Sequence, residues 1–217
     1  DLAQYRPATL SRRLFRRMRV TGQNDPAGYL ELLNASEEER QAVRQDMMIA
    51  VTAFFRDPHY WVRLRETAIQ PLLEEKPTDE EIRVWTTACA TGEEAYSIVI
   101  SLLEESEKLG RTIRLKVFAS DVDATSLAIA SKGLFSAKAA EAIPTEYLEK
   151  YFVQEGDSYR IRRSVRDQII FFEHNLAADP PLTRMNLVTC RNILIYLKPV
   201  VTRRSEEHTS ELQSRSV

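Results

Sequence analysis

Glycine is scarce in this chain, with six in 217 residues, and cysteine, histidine and tryptophan are scarcer still at two, three and two. So few glycines leave no G-x-G-x-x-G and no glycine-rich P-loop, which excludes the pyrophosphate cradles of dinucleotide- and nucleotide-binding folds. Cys89 and Cys190 supply neither a disulfide framework nor a zinc set, and the histidines do not cluster, so no metal site is expected. Both cysteines fall near expected strand ends, where reduced, packed thiols are the expected state. No run approaches the roughly 20 apolar residues of a membrane span, and the opening DLAQYRPATL lacks the charged-then-apolar order of a signal peptide. There is no excess of one charge either: 30 basic against 32 acidic residues, a net of -2, gives no bias toward nucleic acid. A cytoplasmic, monomeric protein without membrane insertion is the expectation. The absence of an initiating Met is read as the mark of a piece of a longer chain.

What is present is a 43% hydrophobic composition, enough for one α/β domain and a small helical one. The most informative stretch is Val84 to Ser97, VWTTACATGEEAYS, an apolar strand running into a small-residue turn that opens a helix with two carboxylates. In wound α/β sheets ligands bind at such carboxyl ends of strands. Glu93 and Glu94 would repel a phosphate and suit an amine or a cation. A second strand, 113–119, leads into Ser120-Asp121-Val122-Asp123, where a carboxylate can hold ribose hydroxyls. A ligand with ribose, an amino group and positive charge but no phosphate fits, and S-adenosylmethionine has all of these. The plain alternative is that Glu93 and Glu94 only complement the helix dipole.

Residues 8 to 75 read as helical, with turn punctuation at Gly22 to Pro26 and an N-cap candidate at Ser36 followed by Glu39. The first helix carries Arg12, Arg13, Arg16, Arg17 and Arg19 opposite Leu10, Leu14 and Met18. Its basic face is either a solvated face of a bundle or a docking surface for an acidic partner. The polar segment 76–81 is taken as the boundary between an all-α part, 1–75, and an α/β part, 76–203. Strands at 82–87, 113–119, 168–172 and 186–190 with helices at 92–109 and 124–132 predict a parallel sheet covered by helices. A hairpin signal around Glu155-Gly156-Asp157 predicts a small antiparallel insertion at about 150–165.

Four segments, VTAFFRDPHYW at 51–61, ATGEEAYS at 90–97, FASDVD at 118–123 and CRNILIYL at 190–197, with FFEHNL at 171–176 as a fifth, resemble the CheR-type methyltransferases that act on chemotaxis receptors. The resemblance covers Tyr5 to about Pro199. It implies an all-α N-terminal domain, then a Rossmann-like, S-adenosylmethionine-dependent methyltransferase domain with a small antiparallel β insertion. The implied activity is transfer of a methyl group to glutamate carboxylates on the cytoplasmic helices of receptors, leaving S-adenosylhomocysteine. A small-molecule methyltransferase and a non-catalytic cofactor-binding module are the alternatives.

By motif, Thr52 and Arg56 match positions that close over the cofactor, Gly92 and Glu94 hold its amino end, and Asp121 its ribose. Asn175 and the Leu176 backbone match the adenine contact, and Arg191 and Asn192 the pocket edge. Tyr196 and Arg56 match residues close to the transferring methyl. Arg12, Arg13, Arg16 and Arg17, on the basic face of the first helix, are the candidate substrate-docking residues by their charge pattern. Ala50 departs from the family's frequent Asn at that position. The stretch 204–217, with RSEEHTSELQS, resembles a translated sequencing-library adapter, and the family's closing strands are expected to be missing after the IYL segment, leaving a sheet edge exposed. Further sensor or methylesterase domains are expected in the parent chain.

Overall fold

The computed structural model describes residues 6–47, 52–176, 178–193 and 198. Two compact units are present, Asp1–Ala50 with Asn192–Arg204, and Val51–Arg191 with Ser205–Val217. Ala50, Tyr196 and the adapter-like stretch 204–217 lie outside the described residues, as does the segment where the exposed sheet edge is expected.

Among its described residues the first unit contains three helices: α1 (Pro7–Val20), α2 (Pro26–Ala35) and α3 (Glu37–Met47). Each start has a local cause. Pro7 and Pro26 occupy first-turn positions where their missing N–H costs nothing, and the Asp25 carboxylate accepts from the N–H groups of Ala27 and Gly28. Ser36 Oγ accepts from the Glu39 N–H at 3.1 Å, as the capping pair suggests. The Glu39 carboxylate, however, does not fold back onto its cap. It is buried, taking two bonds from the Arg17 guanidinium at 2.7 and 2.8 Å and one from the Tyr29 hydroxyl at 2.6 Å. Arg13 donates to the Asp46 carbonyl. A helix carrying arginines at 12, 13, 16, 17 and 19 must turn some of them toward its neighbours, and Arg13 and Arg17 are the ones that α3 engages. Arg12 and Arg16 are exposed.

The second unit begins with α4 (Pro58–Leu64), a π-helical turn (Arg65–Ile69) and α5 (Gln70–Glu75). It continues through β1 (Glu81–Thr87), α6 (Glu93–Lys108), β2 (Arg114–Asp121) and α7 (Ala124–Lys132). Then come β3 (Leu134–Ser136), α8 (Ala137–Ala140), α9 (Thr145–Tyr151), β4 (Phe152–Glu155), β5 (Ser158–Ile161), α10 (Arg163–Arg166), β6 (Ile169–Glu173) and β7 (Leu187–Cys190). The main sheet has the order β6-β2-β1-β7 with every pair parallel. The chain steps from β1 to β2 to β6 on one side and then crosses to place β7 on the other, so the order reverses between β1 and β7. The expected hairpin forms as β4 and β5, and β3 joins it in a three-stranded antiparallel sheet, order β3-β5-β4. Three residues are too short for a period-2 signal, which hides β3 in the sequence.

The compact units divide at Ala50 and Val51, earlier than the polar segment 76–81. That segment is a loop inside the second unit. Ile69 and Leu73 are buried in its core, Gln70 donates to Glu105 of α6 at 2.8 Å, and Arg111 donates to the Leu73 and Lys76 carbonyls. A strong polar run marks a turn, and only packing decides whether a domain ends there. The core is built on α6, whose residues Ala95 to Leu102 are all buried.

Truncating the fully buried Ile98 to Ala is expected to destabilise the chain by about 2–5 kcal/mol in urea titrations. In the first unit, Arg17 holds Glu39 below the ordinary carboxylate range, with the Tyr29 hydroxyl assisting against the cost of burial. A lowered folded pKa means stability that is present above the unfolded value and lost as pH falls through the folded one. Glu39→Gln should therefore cost about 1–3 kcal/mol at neutral pH, and the gap to the parent chain should close in titrations repeated at acid pH.

Candidate cofactor site

The carboxyl ends of β1, β2 and β7 carry the site, and the turn after β1 is its most constrained backbone. Ala88 and Ala90 both have positive φ, 51° and 47°, which costs a non-glycine residue about 1–2 kcal/mol each. Three bonds hold the turn: Cys89 N–H to the Ser120 carbonyl at 3.0 Å, Ala90 N–H to Asp121 Oδ2 at 2.8 Å, and Gly92 N–H to the Cys89 carbonyl at 2.9 Å. Asp121 Oδ1 accepts from the Asp123 N–H at 3.0 Å. Each Asp121 oxygen thus takes one backbone donor and keeps a lone pair, so the carboxylate can both fix the β1 turn and receive two vicinal hydroxyls.

Gly92 has φ 95° and stands at the N-cap of α6. A Cβ there would meet the Ala130 Cβ of α7 at 2.9 Å, so the glycine answers to helix packing and a left-handed turn. Cys89 is buried, and Cys190 is half-buried at the end of β7; both are free thiols. Burial first, then the Asp121 charge, pushes the Cys89 thiol far above its usual range, so it stays protonated and inert.

Of the two glutamates that open α6, Glu93 is buried with its Oε2 accepting from Thr91 Oγ1 at 2.7 Å. Glu94 is less satisfied. Its Oε2 lies 3.6 Å from Arg191 Nη1, and its Oε1 is buried with no hydrogen-bond partner. Thr189 Oγ1, close enough to favour the charged form, is likewise buried and outside bonding geometry. Desolvation raises the Glu94 pKa above the ordinary value, with Arg191 and then Thr189 and Arg56 opposing it. A buried carboxylate oxygen without a donor is costly, and an ammonium group arriving there would satisfy it.

Arg191, just after β7, is the meeting point of the site. Its Nη2 donates to the Arg56 carbonyl at 3.1 Å and to Asp57 Oδ2 at 2.9 Å, and its guanidinium lies 3.8 Å from the Tyr60 ring centroid. The Arg56 carbonyl also accepts from Trp61 Nε1 at 2.9 Å. The loop so held contains two left-handed residues, Phe55 (φ 45°) and Asp57 (φ 59°). Phe54 anchors its other end edge-to-face against Phe135, with centroids 4.7 Å apart, and the Phe55 N–H donates to Ser97 Oγ at 3.1 Å. Burial, then the Glu94 charge, pushes the Tyr60 phenol up to about 12.

Arg56, Glu94 and Arg191 are therefore brought together, and Asp121 is drawn to the same β1 turn. Thr52 lies half-buried in the segment before the loop. Asn175 and Leu176 follow β6, where the Asn175 N–H donates to Asp179 Oδ2 at 2.7 Å and its carbonyl accepts from Ala178 and Asp179. Asn192, exposed with φ 58°, belongs to the other compact unit. Sequence reasoning missed Asp57, Tyr60, Trp61 and Thr189. Asp57 precedes a proline at a helix start and reads as a cap, but its side chain caps nothing and goes to Arg191.

The CheR methyltransferase SAM-binding domain matches residues 50–212, and the CheR methyltransferase all-alpha domain matches residues 1–48. The chain belongs to the CheR methyltransferase family. Its S-adenosylmethionine-binding domain takes in Val51–Arg191 of the second unit, and the match runs on into the segment that resembles an adapter. Among relatives, an uncharacterised 104.1 kDa protein of Rhodobacter capsulatus is 44% identical over 205 residues, covering 94% of this chain and 22% of that protein. Chemotaxis protein methyltransferase 2 of Vibrio cholerae is 35% identical, covering 91% and 70%. The chemotaxis protein methyltransferase of Escherichia coli is 31% identical, covering 90% and 68%. The chain thus spans under a quarter of the Rhodobacter relative and about two thirds of the others.

The residues at the strand ends fit this cofactor: the Glu94 oxygen lacks a donor that an ammonium supplies, and Asp121 has lone pairs for ribose hydroxyls. The raised Glu94 pKa fixes a sign. A raised folded pKa means stability that is present below the unfolded value and lost as pH rises through the folded one. Glu94→Gln should melt at or above the parent temperature at neutral pH, with the difference vanishing at acid pH, while cofactor affinity measured by calorimetry falls at least about tenfold. In the parent chain affinity should decline on acidification before ordinary carboxylates titrate.

Proposed function

We propose that the chain transfers the methyl group of S-adenosylmethionine to glutamate side chains on the cytoplasmic helices of chemoreceptors, giving glutamyl methyl esters. The observation that carries this reading is the arrangement around Glu94: a cation-seeking carboxylate in the first turn of α6, facing a loop whose conformation is fixed at Arg56.

The cofactor supplies a methyl group activated on a sulfonium. A glutamate acceptor, with a pKa near 4.3, is already ionised at neutral pH, so no general base is needed, and none of the half-buried groups around Arg56 has to provide one. A carboxylate oxygen forms the new O–C bond in line with the S–C bond that breaks, and S-adenosylhomocysteine leaves. The chain's own work is positional. Glu94 takes the ammonium, Asp121 the ribose hydroxyls, and the Arg56 guanidinium holds the acceptor carboxylate in a planar fork. Binding that carboxylate too tightly would lower its nucleophilicity, so Arg56 orients more than it neutralises. Tyr196 is assigned beside it from the motif. The exposed Arg12 and Arg16 are the part of the basic α1 face that can steer an acidic receptor helix, whereas Arg13 and Arg17 serve the fold.

A labelled-methyl assay on a purified chemoreceptor cytoplasmic fragment is expected to give base-labile label, the mark of a carboxyl ester. Base-stable label, or transfer only to small molecules, overturns the assignment. Arg56→Ala should lower turnover by about a hundredfold or more with cofactor still bound. Because Asp121 also holds the β1 turn, its ribose role is tested by ligand as well as by mutation. Asp121→Asn should weaken S-adenosylhomocysteine binding and abolish the parent chain's preference for it over the 2′-deoxy analogue. A preference that survives the substitution refutes the ribose role.

A further inference from the structure

The small antiparallel sheet presents one face to the loop before α4. In the strand register Phe135 of β3 stands opposite Tyr159 of β5, and Phe152 of β4 stands opposite Ile161. Tyr159 and Ile161 are two residues apart on one strand, so all four side chains share a face. The buried Phe54 packs against both outer strands: its ring meets Phe135 edge-on with centroids 4.7 Å apart, and Phe152 edge-on at 5.6 Å. The next residue goes elsewhere on the same insertion. The Phe55 ring lies 5.5 Å from that of Tyr147 on α9, the helix that leads into β4, and its N–H donates to Ser97 Oγ of α6 at 3.1 Å. Ser97 commits its own hydrogen to the Glu93 carbonyl at 2.7 Å, which leaves its lone pairs for Phe55.

This grip falls on backbone that needs it. Phe55 and Asp57 hold left-handed φ, 45° and 59°, which residues with a Cβ keep only where their surroundings impose it. Strands of three and four residues, in turn, need a packed apolar face to be stable. Aliphatic side chains would meet that need without fixing an orientation. Edge-to-face rings on two consecutive residues, directed at different elements, leave the backbone between them little freedom to slide or turn. We propose that the antiparallel insertion is a brace for the reaction loop: together with Ser97 it clamps Phe54 and Phe55, so that Phe135, Phe152 and Tyr147 are positioning residues for Arg56, the next residue in the chain. The consequence for methyl transfer rests on the reading of Arg56 as the group that orients the acceptor carboxylate.

Phe135→Leu keeps apolar bulk and removes the ring edge. Hydrogen exchange on the full chain should then speed up about tenfold at the peptide 53–57, which holds the Phe55 amide, while peptides from α6 and β1 change less than about twofold. Turnover on a purified chemoreceptor cytoplasmic fragment should fall about tenfold at saturating cofactor, with S-adenosylhomocysteine affinity, read by calorimetry, weakened by no more than about threefold. Tyr147→Leu, on the Phe55 side, should show the same split to a smaller degree. Loss of stability alone is checked with Ile82→Ala, a cavity at the opposite end of β1. That variant should lower the melting temperature at least as far as Phe135→Leu, yet leave the turnover of the folded chain within about twofold of the parent.

Unchanged exchange at 53–57 in both ring variants, or equal acceleration in α6 and β1, overturns the brace. Full turnover from a loosened loop, cofactor affinity that falls in step with turnover, or an equal loss in Ile82→Ala overturns its part in methyl transfer. A parent chain without turnover, or an Arg56→Ala variant that keeps it, refutes the reading of Arg56 instead, and the exchange data still decide whether the insertion clamps the loop.

Discussion

The geometry of the site depends on β1 being flanked by parallel strands that the chain reaches by opposite routes. β2 follows through α6 on one side, and β7 arrives on the other only after β6 has been laid down at the far edge. The reversal opens a crevice at the carboxyl end of β1, since the connections on its two sides run in opposite directions. Into it project the turn after β1, the first turn of α6 and the residues just beyond β7. Register does the rest: Thr87 of β1 pairs with both Ser120 and Cys190, so Asp121 and Arg191, one residue further on, flank the same turn.

The energetic consequence is a concentration of strain and unmet polarity at the ends of β1 and β7. Two alanines and two loop residues hold left-handed backbone, and buried oxygens of Glu94 and Thr189 lack bonds. Such features persist only where the surroundings over-determine them. Here the surroundings are the Asp121 carboxylate on one loop and Arg191 with Trp61 on the other, underlain by the buried stretch Ala95 to Leu102 of α6. The first unit shows the opposite arrangement. Its buried carboxylate, Glu39, receives three donors and serves stability, whereas Glu94 has a buried oxygen that receives none.

Much of this was legible in the chain. The parallel strands and covering helices announced themselves through apolar runs separated by polar helix signals, and observed strand limits fall within a few residues of the expected ones. The hairpin followed from its Glu-Gly-Asp turn. The carboxylates at 94 and 121 stood out because each ends a strand or opens a helix, where local sequence and ligand geometry coincide. Other features were hidden for physical reasons. The third strand of the small sheet is three residues long and draws its stability from its partner. The polar segment after α5 looks like a linker, yet Arg111, from beyond β1 and α6, closes over it through carbonyl bonds that no local pattern reveals.

The sequence by itself determined the family, the order of elements and the cofactor chemistry, because strand and helix periodicity and the motifs at strand ends are local properties. Tertiary structure alone decided which of several similar residues does what. Five arginines on α1 are equivalent as a pattern, but the carboxylates and carbonyls of α3 engage two of them, Arg13 and Arg17. Glu93 and Glu94 are neighbours with the same side chain, yet Thr91 satisfies one, while the other faces an arginine from a strand almost a hundred residues later. Gly92 sits in a left-handed turn packed against Ala130 of α7, a contact that no local pattern shows. Each assignment turns on contacts between distant segments, and those exist only once the sheet has brought the strand ends together.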